Sequence, residues 1–464
     1  MFSKEIYAER RAKLLKDVPS GIILFLGNTE SPCNYPDNTF EFRQDSCFLY
    51  FFGLDKPDLA AIIDTESGDQ AIFGDDVTMD DIIWMGPQPK LSDQAAKVGI
   101  AHTEPSAKLE DYVKKAVSMN RTVHFTPPYR GETKIQLHEL LDVPFQEMRS
   151  AASETLIKAI VKQRMVKQKC EIEEMDRIAD VGYMMQYTVM KMMKPGVQEH
   201  VLAGAVEGVC RSYAYIPSFA TILSQHGETM HNHLHNAVIS ADRLCVIDCG
   251  AESEMHYASD FTRTLPGGGK FSQKQADIYA IVSTANQLSH DMCRPGITHK
   301  SVHLACAKVI VQGLKNVGLV EGDVDEMVGL GVQGLFMPHG LGHAIGMDVH
   351  DMEGLGENYV GYDSTIERSK QLGLGSLRMA RKLEAGNVIS DEPGIYFIPA
   401  LIDRWKSEGK FKDFIRYDRL ESYYDFGGIR LEDDLLITPD GCRGLGAKRL
   451  PITVKDVEEA MKDN

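Results

Sequence analysis

Val246-Ile-Asp-Cys-Gly250 and Asp260-Phe-Thr-Arg-Thr-Leu-Pro266 are the two segments that decide the fold of this chain. Each predicts a short apolar strand carrying one aspartate, with a tight polar turn between them. A hairpin centred on Glu254 would place Asp248 and Asp260 opposite each other, with Cβ atoms about 4.5–5.5 Å apart, where like charges destabilise. The pair therefore indicates a cation, such as two metal ions roughly 3.5–4 Å apart. The alternative is that both acids face solvent on an edge hairpin, since buried acids are rare unless paired.

The composition excludes several classes of protein. A length of 464 residues predicts two or three domains. The net charge of -17 argues against a general binder of nucleic acid or anionic membranes. The N-terminus lacks the apolar core of a signal peptide, and no apolar run approaches the roughly 20 residues of a membrane span. Nine scattered cysteines without a CxxC pair predict reduced thiols and a cytoplasmic location.

The order of predicted elements divides the chain near residue 160. The composition changes near Arg149, and Ser153–Met193 predicts a long charged helix. We therefore expect an α+β protein with an N-terminal α/β domain over residues 1–160 and a catalytic domain over residues 161–464. The apolar runs that predict N-terminal strands are Gly21–Leu26, Ser46–Phe52 and Ala60–Asp64.

Histidines mark two further candidate sites. His231, His233 and His235 alternate, so on a strand they would share one face. They fit a metal cluster, but an exposed polar face explains them equally simply and is favoured. Phe336–His343 is a glycine-rich turn in which Gly340 and Gly342 allow close backbone approach. His339, His343 and His350 fall within one short span around this turn, which favours a functional site over three core histidines.

Two carboxylate segments follow. Glu392 comes directly before a Pro-Gly turn at the end of an apolar strand. Arg430 and Glu432 alternate with Ile429 and Leu431, so they share one strand face. The next two acids, Asp433 and Asp434, are expected in a turn or facing solvent.

The order Asp, Asp, His, Glu, Glu, together with the motif around each residue, strongly resembles the pattern of the prolidase and aminopeptidase P family of pita-bread dinuclear metallopeptidases. The similarity covers nearly the whole chain, and six motifs in order are highly specific. The matching catalytic motifs are Ile247-Asp-Cys-Gly250, Ser259-Asp-Phe-Thr-Arg263, Pro338-His-Gly-Leu-Gly-His343, Asp348-Val-His-Asp351, Glu392-Pro-Gly-Ile-Tyr396 and Gly428-Ile-Arg-Leu-Glu-Asp433. The N-terminal Phe42–Gly53 segment also resembles the signature of the family's first domain.

The resemblance implies a role for each matching residue. It implies that Asp260 and Glu432 bridge two ions and that Glu392 moves a proton to the leaving nitrogen. It implies a catalytic set, of which the histidines also bind substrate, and a set of five metal ligands. The catalytic set is His231, His339, His350, Glu392 and Arg430, and the metal ligands are Asp248, Asp260, His343, Glu392 and Glu432. His233 and His235 have no counterpart in the family.

The implied ligands also suggest the metal. Four carboxylates balance two divalent ions, and oxygen donors with one imidazole favour a hard ion such as Mn²⁺. Co²⁺, Zn²⁺ and Fe²⁺ are the alternatives. Family members cut the bond between a residue and a following proline, whose nitrogen carries no hydrogen. The implied partners are therefore short proline-containing peptides, with no nucleic acid and no membrane, and a homodimer or higher homo-oligomer is expected.

Two residues bear on specificity. Arg378 falls where prolidases place an arginine that holds the free carboxylate of proline, and this favours a dipeptidase over an aminopeptidase. The alternative, which is less favoured, is a solvated arginine on a basic loop. Phe219 stands where the family often has a tyrosine whose hydroxyl bonds a metal-bound aspartate. A phenylalanine cannot make that bond, so an altered metal affinity is expected.

Other functions fit the same fold, because fold does not fix function. The alternatives are an Xaa-Pro aminopeptidase acting on longer peptides, a binding protein without hydrolytic activity, and a metal-free enzyme acting on a small amidine. Cleavage of Ala-Pro against Ala-Pro-Pro separates the two peptidases. Metal analysis separates the amidine enzyme, since a dinuclear peptidase holds about two ions per chain.

Overall fold

The computed structural model describes residues 1–462. Contacts divide the chain into two compact units. The first contains Met1–Arg164 and, in addition, Glu353–Tyr359, a segment that no sequence pattern assigned to it. The second contains Met165–Met352 and the chain from Val360 onward. Within residues 1–462, no helix has the length and apolar character needed to cross a membrane.

The first unit is built around a mixed sheet in the order β6-β5-β4-β1-β7. Strand β1 pairs antiparallel with β4 and parallel with β7. Apolar side chains from β1, β4, β5 and α5 form the hydrophobic core of this unit. The helices are α1 (Lys4–Asp17), α2 (Ser46–Phe52), α3 (Met79–Met85), α4 (Leu91–Lys97), α5 (Lys108–Ser118), α6 (Gly131–Leu141), α7 (Met148–Ala151) and α8 (Glu154–Arg164). The strands are β1 (Ile22–Leu26), β2 (Pro32–Tyr35), β3 (Asn38–Thr39), β4 (Ala60–Asp64), β5 (Gln70–Phe73), β6 (His102–Glu104) and β7 (Val123–His124).

The second unit packs helices against several small antiparallel sheets, with strand orders β12-β10-β9, β13-β16-β17, β14-β15 and β11-β8. Its helices are α9 (Lys169–Met192), α10 (Glu199–Ser212), α11 (Gln273–Met292), α12 (His299–Asn316), α13 (Val324–Leu330), α15 (Pro399–Ser407), α16 (Tyr417–Leu420) and α17 (Val454–Ala460). Helix α14 (Glu357–Val360) lies, except for its last residue, in the segment Glu353–Tyr359 of the first unit. Strands are β8 (Ile216–Pro217), β9 (Ile222–Ser224), β10 (Leu244–Cys249), β11 (Ala251–Glu252), β12 (Phe261–Pro266), β13 (Val388–Asp391), β14 (Gly394–Tyr396), β15 (Gly428–Arg430), β16 (Asp433–Ile437) and β17 (Cys442–Gly444).

The expectation of a strand at Ser46–Phe52 is wrong, because this segment is the buried helix α2. Asp45 caps the helix by accepting a hydrogen bond from the Phe48 amide, and Gly53 ends it in the left-handed region at φ 62°. Arg10 and Arg11 donate to the carbonyls of Tyr50 and Phe51 at its C-terminal end. A short apolar run does not by itself distinguish a buried helix from a buried strand.

The long helix expected over Ser153–Met193 is divided in two. Helix α8 ends at Arg164, and α9 begins at Lys169. Gln168 and Glu171 form a capping box at the start of α9. This start signal lies inside a run of good helix formers, which explains why propensity alone predicted a continuous helix.

An ion pair in the first unit gives a stability prediction. Arg121 binds both oxygens of the buried Asp64 at 2.6 and 2.7 Å and lowers the pKa of Asp64 to about 2. We expect Asp64→Asn to cost about 2 kcal/mol of unfolding free energy at pH 7. Because the folded-state pKa is depressed, this stabilisation is present above about pH 4 and is lost as the pH falls towards 2. Urea denaturation at several pH values measures it.

Glu66→Gln is the matched control for that measurement. Glu66 lies 3.5 Å from the same arginine but is 58% exposed. An exposed pair of this kind contributes at most about 1 kcal/mol. Equal losses from the two substitutions would contradict the assignment of Asp64 as the stabilising partner.

Candidate metal centre

Asp248 lies in β10 and Asp260 directly precedes the neighbouring antiparallel strand β12, but the two are not directly opposite as the sequence predicted. Asp248 pairs with Thr262, so Asp260 is displaced by two residues and precedes β12. The connection is not a simple turn, because Ala251–Glu252 pairs with β8 and His256 adopts a φ of 61°. A displacement of two residues keeps both aspartates on one face of the sheet, with Cα atoms about 7–8 Å apart.

Thr262 brings Glu432 to the same face. Its backbone forms a bridge with Glu432, whose amide donates to the Thr262 carbonyl at 2.9 Å. The Thr262 hydroxyl also donates to Glu432 Oε2 at 2.7 Å. The Asp260 amide donates to Asp434 Oδ2 at 3.0 Å. Hydrogen bonds therefore fix the Asp260 backbone to Asp434 of β16, and the Glu432 backbone and carboxylate to Thr262 of β12.

His343 and Glu392 meet because the histidine loop runs along β13. The Ser390 amide donates to the His343 carbonyl at 2.9 Å, and the Glu392 amide donates to the Leu341 carbonyl at 2.8 Å. A side chain at Gly342 would place its Cβ 2.1 Å from the Ser390 carbonyl oxygen, so only glycine permits this approach. The expectation that this glycine allows close backbone packing is confirmed.

The predicted ligands form one buried cluster. One ligand atom from each of Asp260, His343 and Glu432 lies within 4.8 Å of the others. His343 Nε2 lies 3.4 Å from Asp260 Oδ2 and 3.8 Å from Glu392 Oε1. Among residues 1–462, Asp248 Oδ1 and Asp260 Oδ1 are buried without a hydrogen-bond partner.

The pKa values of the clustered carboxyl groups are raised by burial and by their mutual repulsion. Burial raises the pKa of Asp260, and the Asp248 carboxylate raises it further. Burial, Asp260 and Glu392 raise the pKa of Glu432 in the same way. Crowded carboxylates with unpaired oxygens are unfavourable as they stand, and divalent cations would offset their charge. The donor set therefore fits divalent metal ions.

A hydrogen-bonded chain connects Asp248 to His339. Arg430 donates from Nη2 to Asp248 Oδ2 at 2.5 Å and from Nη1 to the Tyr396 hydroxyl at 2.9 Å. That hydroxyl lies 3.0 Å from His339 Nε2. Burial and Arg430 lower the pKa of His339 to about 3, so its imidazole is neutral at physiological pH. Arg430 and Glu432 both bond the Thr262 hydroxyl, which confirms that they share a face.

The other predicted substrate residues lie around this cluster. The rings of His343 and His350 are in edge contact, with centroids 4.3 Å apart. His231 is exposed as a residue, but its ring is partly desolvated, and this desolvation and the Arg430 charge lower its pKa. Arg378 is half-buried, and its charge acts on His343. His231, His350 and Arg378 thus all lie within electrostatic range of the cluster.

The expectation that Asp433 and Asp434 face a turn or solvent is wrong. Both lie in β16 and are buried. Burial alone would raise the pKa of Asp433, but Arg263 and His290 outweigh it and hold that pKa well below its usual range. Arg263 Nη2 binds Asp433 Oδ1 at 2.5 Å, and the period-two rule did not anticipate a buried arginine on the adjoining strand.

Sequence reasoning missed Thr262, Arg263 and Tyr396 as supporting residues. All three belong to motifs that the sequence singled out, yet nothing in their spacing shows which groups they bond. At Phe219, which is half-buried, the adjacent Ser218 hydroxyl donates to the Ser259 carbonyl at 2.9 Å. His233 and His235 do not join the cluster, because their rings bond backbone carbonyls beside β9.

Comparison with known families agrees with this geometry. A model of metallopeptidase family M24 matches residues 173–439, more than half of the chain. The chain belongs to metallopeptidase family M24. A model of the aminopeptidase P N-terminal domain matches residues 7–124 of this M24 member. The predicted family resemblance and the α+β fold class are thereby confirmed.

Some relatives are named as dipeptidases and others as aminopeptidases. The chain is 28% identical to a human Xaa-Pro dipeptidase, over 95% of this chain and 88% of that protein. It is also 28% identical to a probable Xaa-Pro aminopeptidase of Fusarium vanettenii, over 99% and 96% of the two chains. Among solved structures, Pseudomonas aeruginosa aminopeptidase PepP matches with a TM-score of 0.80 and 26% identity, over 99% and 98% of the two chains.

Proposed function

We propose that this M24 member is a dinuclear metallo-exopeptidase that hydrolyses the bond between an N-terminal residue and proline. The observation that carries the proposal is the buried convergence of Asp260, His343 and Glu432. Glu392 Oε1 lies 3.8 Å from His343 Nε2, and Asp248 Oδ1 and Asp260 Oδ1 have no hydrogen-bond partner among residues 1–462. A binding protein on the same fold would have no need to maintain so unfavourable a cluster of acids. Relatives named Xaa-Pro dipeptidase and Xaa-Pro aminopeptidase support the substrate class.

The five ligands would hold two divalent ions, and the donor set favours Mn²⁺. Such ions, when bound, lower the pKa of a shared water and polarise the scissile carbonyl. Asp260 and Glu432 are the candidates to contact both ions. Asp248 keeps one oxygen on Arg430, which leaves only its other oxygen for a metal.

Residues around the ligands would bind and protonate the peptide. His339 is neutral, with Nδ1 on the Gly340 carbonyl at 2.7 Å and Nε2 beside the Tyr396 hydroxyl at 3.0 Å, so it would line the substrate site in a fixed orientation without adding charge. Burial raises the pKa of Glu392, which suits a group that takes up a proton and passes it to the proline nitrogen. His231 and His350, which lie near the cluster, would contact the substrate.

Removal and return of metal test this proposal. Chelation should abolish cleavage of Ala-Pro and Ala-Pro-Pro, and Mn²⁺ should restore it together with about two ions per chain. Full activity after complete chelation would contradict the proposal. Faster cleavage of Ala-Pro than of Ala-Pro-Pro identifies a dipeptidase, and the reverse identifies an aminopeptidase.

Arg378 favours the dipeptidase. A charge-assisted bond to the free proline carboxylate is worth about 1.5–3 kcal/mol. We therefore expect Arg378→Ala to raise KM for Ala-Pro by about 10- to 100-fold and to leave KM for Ala-Pro amide unchanged, because the amide lacks that carboxylate. Steady-state kinetics with both compounds measure the difference.

Arg381→Ala is the control, since Arg381 lies on the same loop but pairs with Glu384 at 3.7 Å. An equal change in KM for the acid and the amide would show that Arg378 does not bind the carboxylate.

The assembly into a homo-oligomer and the cytoplasmic location stay predictions.

A further inference from the structure

The histidines that the proposed chemistry does not use have a defined arrangement. His233 Nδ1 lies 3.3 Å from the Thr221 carbonyl oxygen, and His235 Nδ1 lies 3.0 Å from the Leu223 carbonyl oxygen. The step of two residues from His233 to His235 matches the step of two residues from Thr221, which directly precedes β9, to Leu223 within β9. The segment is therefore extended and parallel to β9, with both rings on one side.

The two carbonyls belong to the open edge of a sheet. Strand β9 ends the order β12-β10-β9 and pairs with β10 through its other edge. Side-chain N–H groups thus take the place of a further strand. Satisfying this edge is the simplest structural role for the pair, and an amide side chain could fill that role as well as an imidazole.

Each imidazole has a second ring nitrogen that an amide side chain lacks. A carbonyl oxygen only accepts hydrogen bonds, so each Nδ1 must carry the proton, and each neutral ring presents a lone pair on Nε2. Histidines that bind metals are usually held in this way, with the remote ring nitrogen donating to a backbone carbonyl. His233 is exposed and His235 is half-buried, so an ion can reach the pair from solvent.

We propose that His233 and His235 form an accessory site for a divalent transition-metal ion, distinct from the carboxylate cluster. Residues two apart on an extended segment carry side chains on one face about 6.7 Å apart. Rings leaning together can reach one ion through bonds of about 2.0–2.1 Å. Water would complete the coordination.

The donor chemistry separates this site from the candidate metal centre. Two imidazoles suit Ni²⁺, Zn²⁺, Co²⁺ or Cu²⁺, whereas carboxylate oxygens suit Mn²⁺. Uptake at the accessory site should therefore occur without loss of Mn²⁺ from the carboxylates. This inference does not depend on the peptidase activity, because neither histidine belongs to the proposed catalytic set.

Metal counting tests the site. Protein saturated with Mn²⁺ is titrated with Ni²⁺, and both metals are measured by elemental analysis after removal of free ions. The variant is His233→Asn/His235→Asn, because an asparagine amide can replace the Nδ1–H donor to each carbonyl but offers nothing at the Nε2 position. His102→Asn, in the first unit, replaces an exposed histidine that bonds Glu104 at 2.8 Å and serves as the control.

The wild type and the His102→Asn control should each bind about one Ni²⁺ per chain more than the double variant, with unchanged Mn²⁺. Each single variant, His233→Asn or His235→Asn, should weaken Ni²⁺ binding at least tenfold, so the result does not rest on the double variant folding. Equal Ni²⁺ uptake by wild type and variants would overturn the proposal, and so would Ni²⁺ uptake matched by release of Mn²⁺.

Retention of untagged protein on immobilised Ni²⁺ gives a second measurement. An immobilised ion cannot enter the carboxylate cluster, whose Asp260 and His343 are only 5% and 3% exposed. The wild type should be retained and eluted by imidazole, and the double variant should elute earlier. Identical elution of both would count against the site.

Discussion

Asp260→Asn should lower turnover on the order of 1,000-fold, because a bound metal contributes several kcal/mol to the transition state. Asp260 lies 3.4 Å from His343 Nε2 and clusters with Glu432, and its Oδ1 has no hydrogen-bond partner among residues 1–462. Its Oδ1 is thus available to metal, and its Oδ2 lies beside the imidazole of the predicted ligand His343. Asp248 has one oxygen on Arg430, so Asp248→Asn should lose less metal and less activity.

The same substitution should not unfold the protein. Burial and Asp248 raise the pKa of Asp260, so its ionised form destabilises the metal-free protein at neutral pH. A neutral asparagine removes that repulsion. In the presence of a chelator, Asp260→Asn should therefore be at least as stable as the wild type, although it is nearly inactive.

Metal content, turnover with excess Mn²⁺ and thermal unfolding in chelator together measure these effects. Glu254→Gln is the control, since Glu254 is an exposed acid on the connection between the two aspartates. It should change neither metal content nor turnover. Equal and mild effects of Asp248→Asn and Asp260→Asn would contradict the bridging role of Asp260.

Arg263→Met should cost about 3–5 kcal/mol of unfolding free energy, the usual loss when one partner of a buried ion pair is removed. Arg263 is fully buried and binds Asp433 Oδ1 at 2.5 Å. It also donates to the carbonyls of Glu432 at 2.8 Å and Pro451 at 2.8 Å. The variant would leave the Asp433 carboxylate and these carbonyls short of donors in the interior.

Urea denaturation in chelator measures this loss without a contribution from bound metal. Arg443→Met is the control, because Arg443 is 41% exposed and binds Asp176 at the surface at 2.7 Å. That substitution should cost no more than about 1 kcal/mol. In Arg263→Met/Asp433→Leu, which removes both charges, the loss should be smaller than the sum of the two single losses. Additive losses would show that the pair is not coupled.

The sequence predicted the chemistry of the centre better than its geometry. The resemblance of the ordered motifs to a known family was sufficient to expect a cluster, and the structure brings Asp260, His343 and Glu432 together. The pairing of Asp248 with Thr262 could not be predicted, because the connection contains a strand that pairs with β8. Residues at equal distances from a turn lie opposite each other only in a simple hairpin.

Tertiary partners account for the other errors. An apolar run at Ser46–Phe52 suits a buried strand, and what makes it a helix is in part Arg10 and Arg11 from elsewhere in the chain. Asp433 and Asp434 look like surface residues until Arg263 and the Asp260 amide are known to bind them. Local patterns carry no information on such distant partners.

The contacts of Arg263 can be completed only late in protein synthesis. The Pro451 carbonyl that this arginine binds lies 188 residues later in the chain. At about 5–20 residues per second, the ribosome needs roughly 10–40 s to make that stretch. When Arg263 is made, the nascent chain contains only two of the five predicted ligands, Asp248 and Asp260, and the arginine still lacks its final acceptors. We therefore expect metal to be acquired after release from the ribosome, and chains that stop before Leu450 to be degraded rather than loaded.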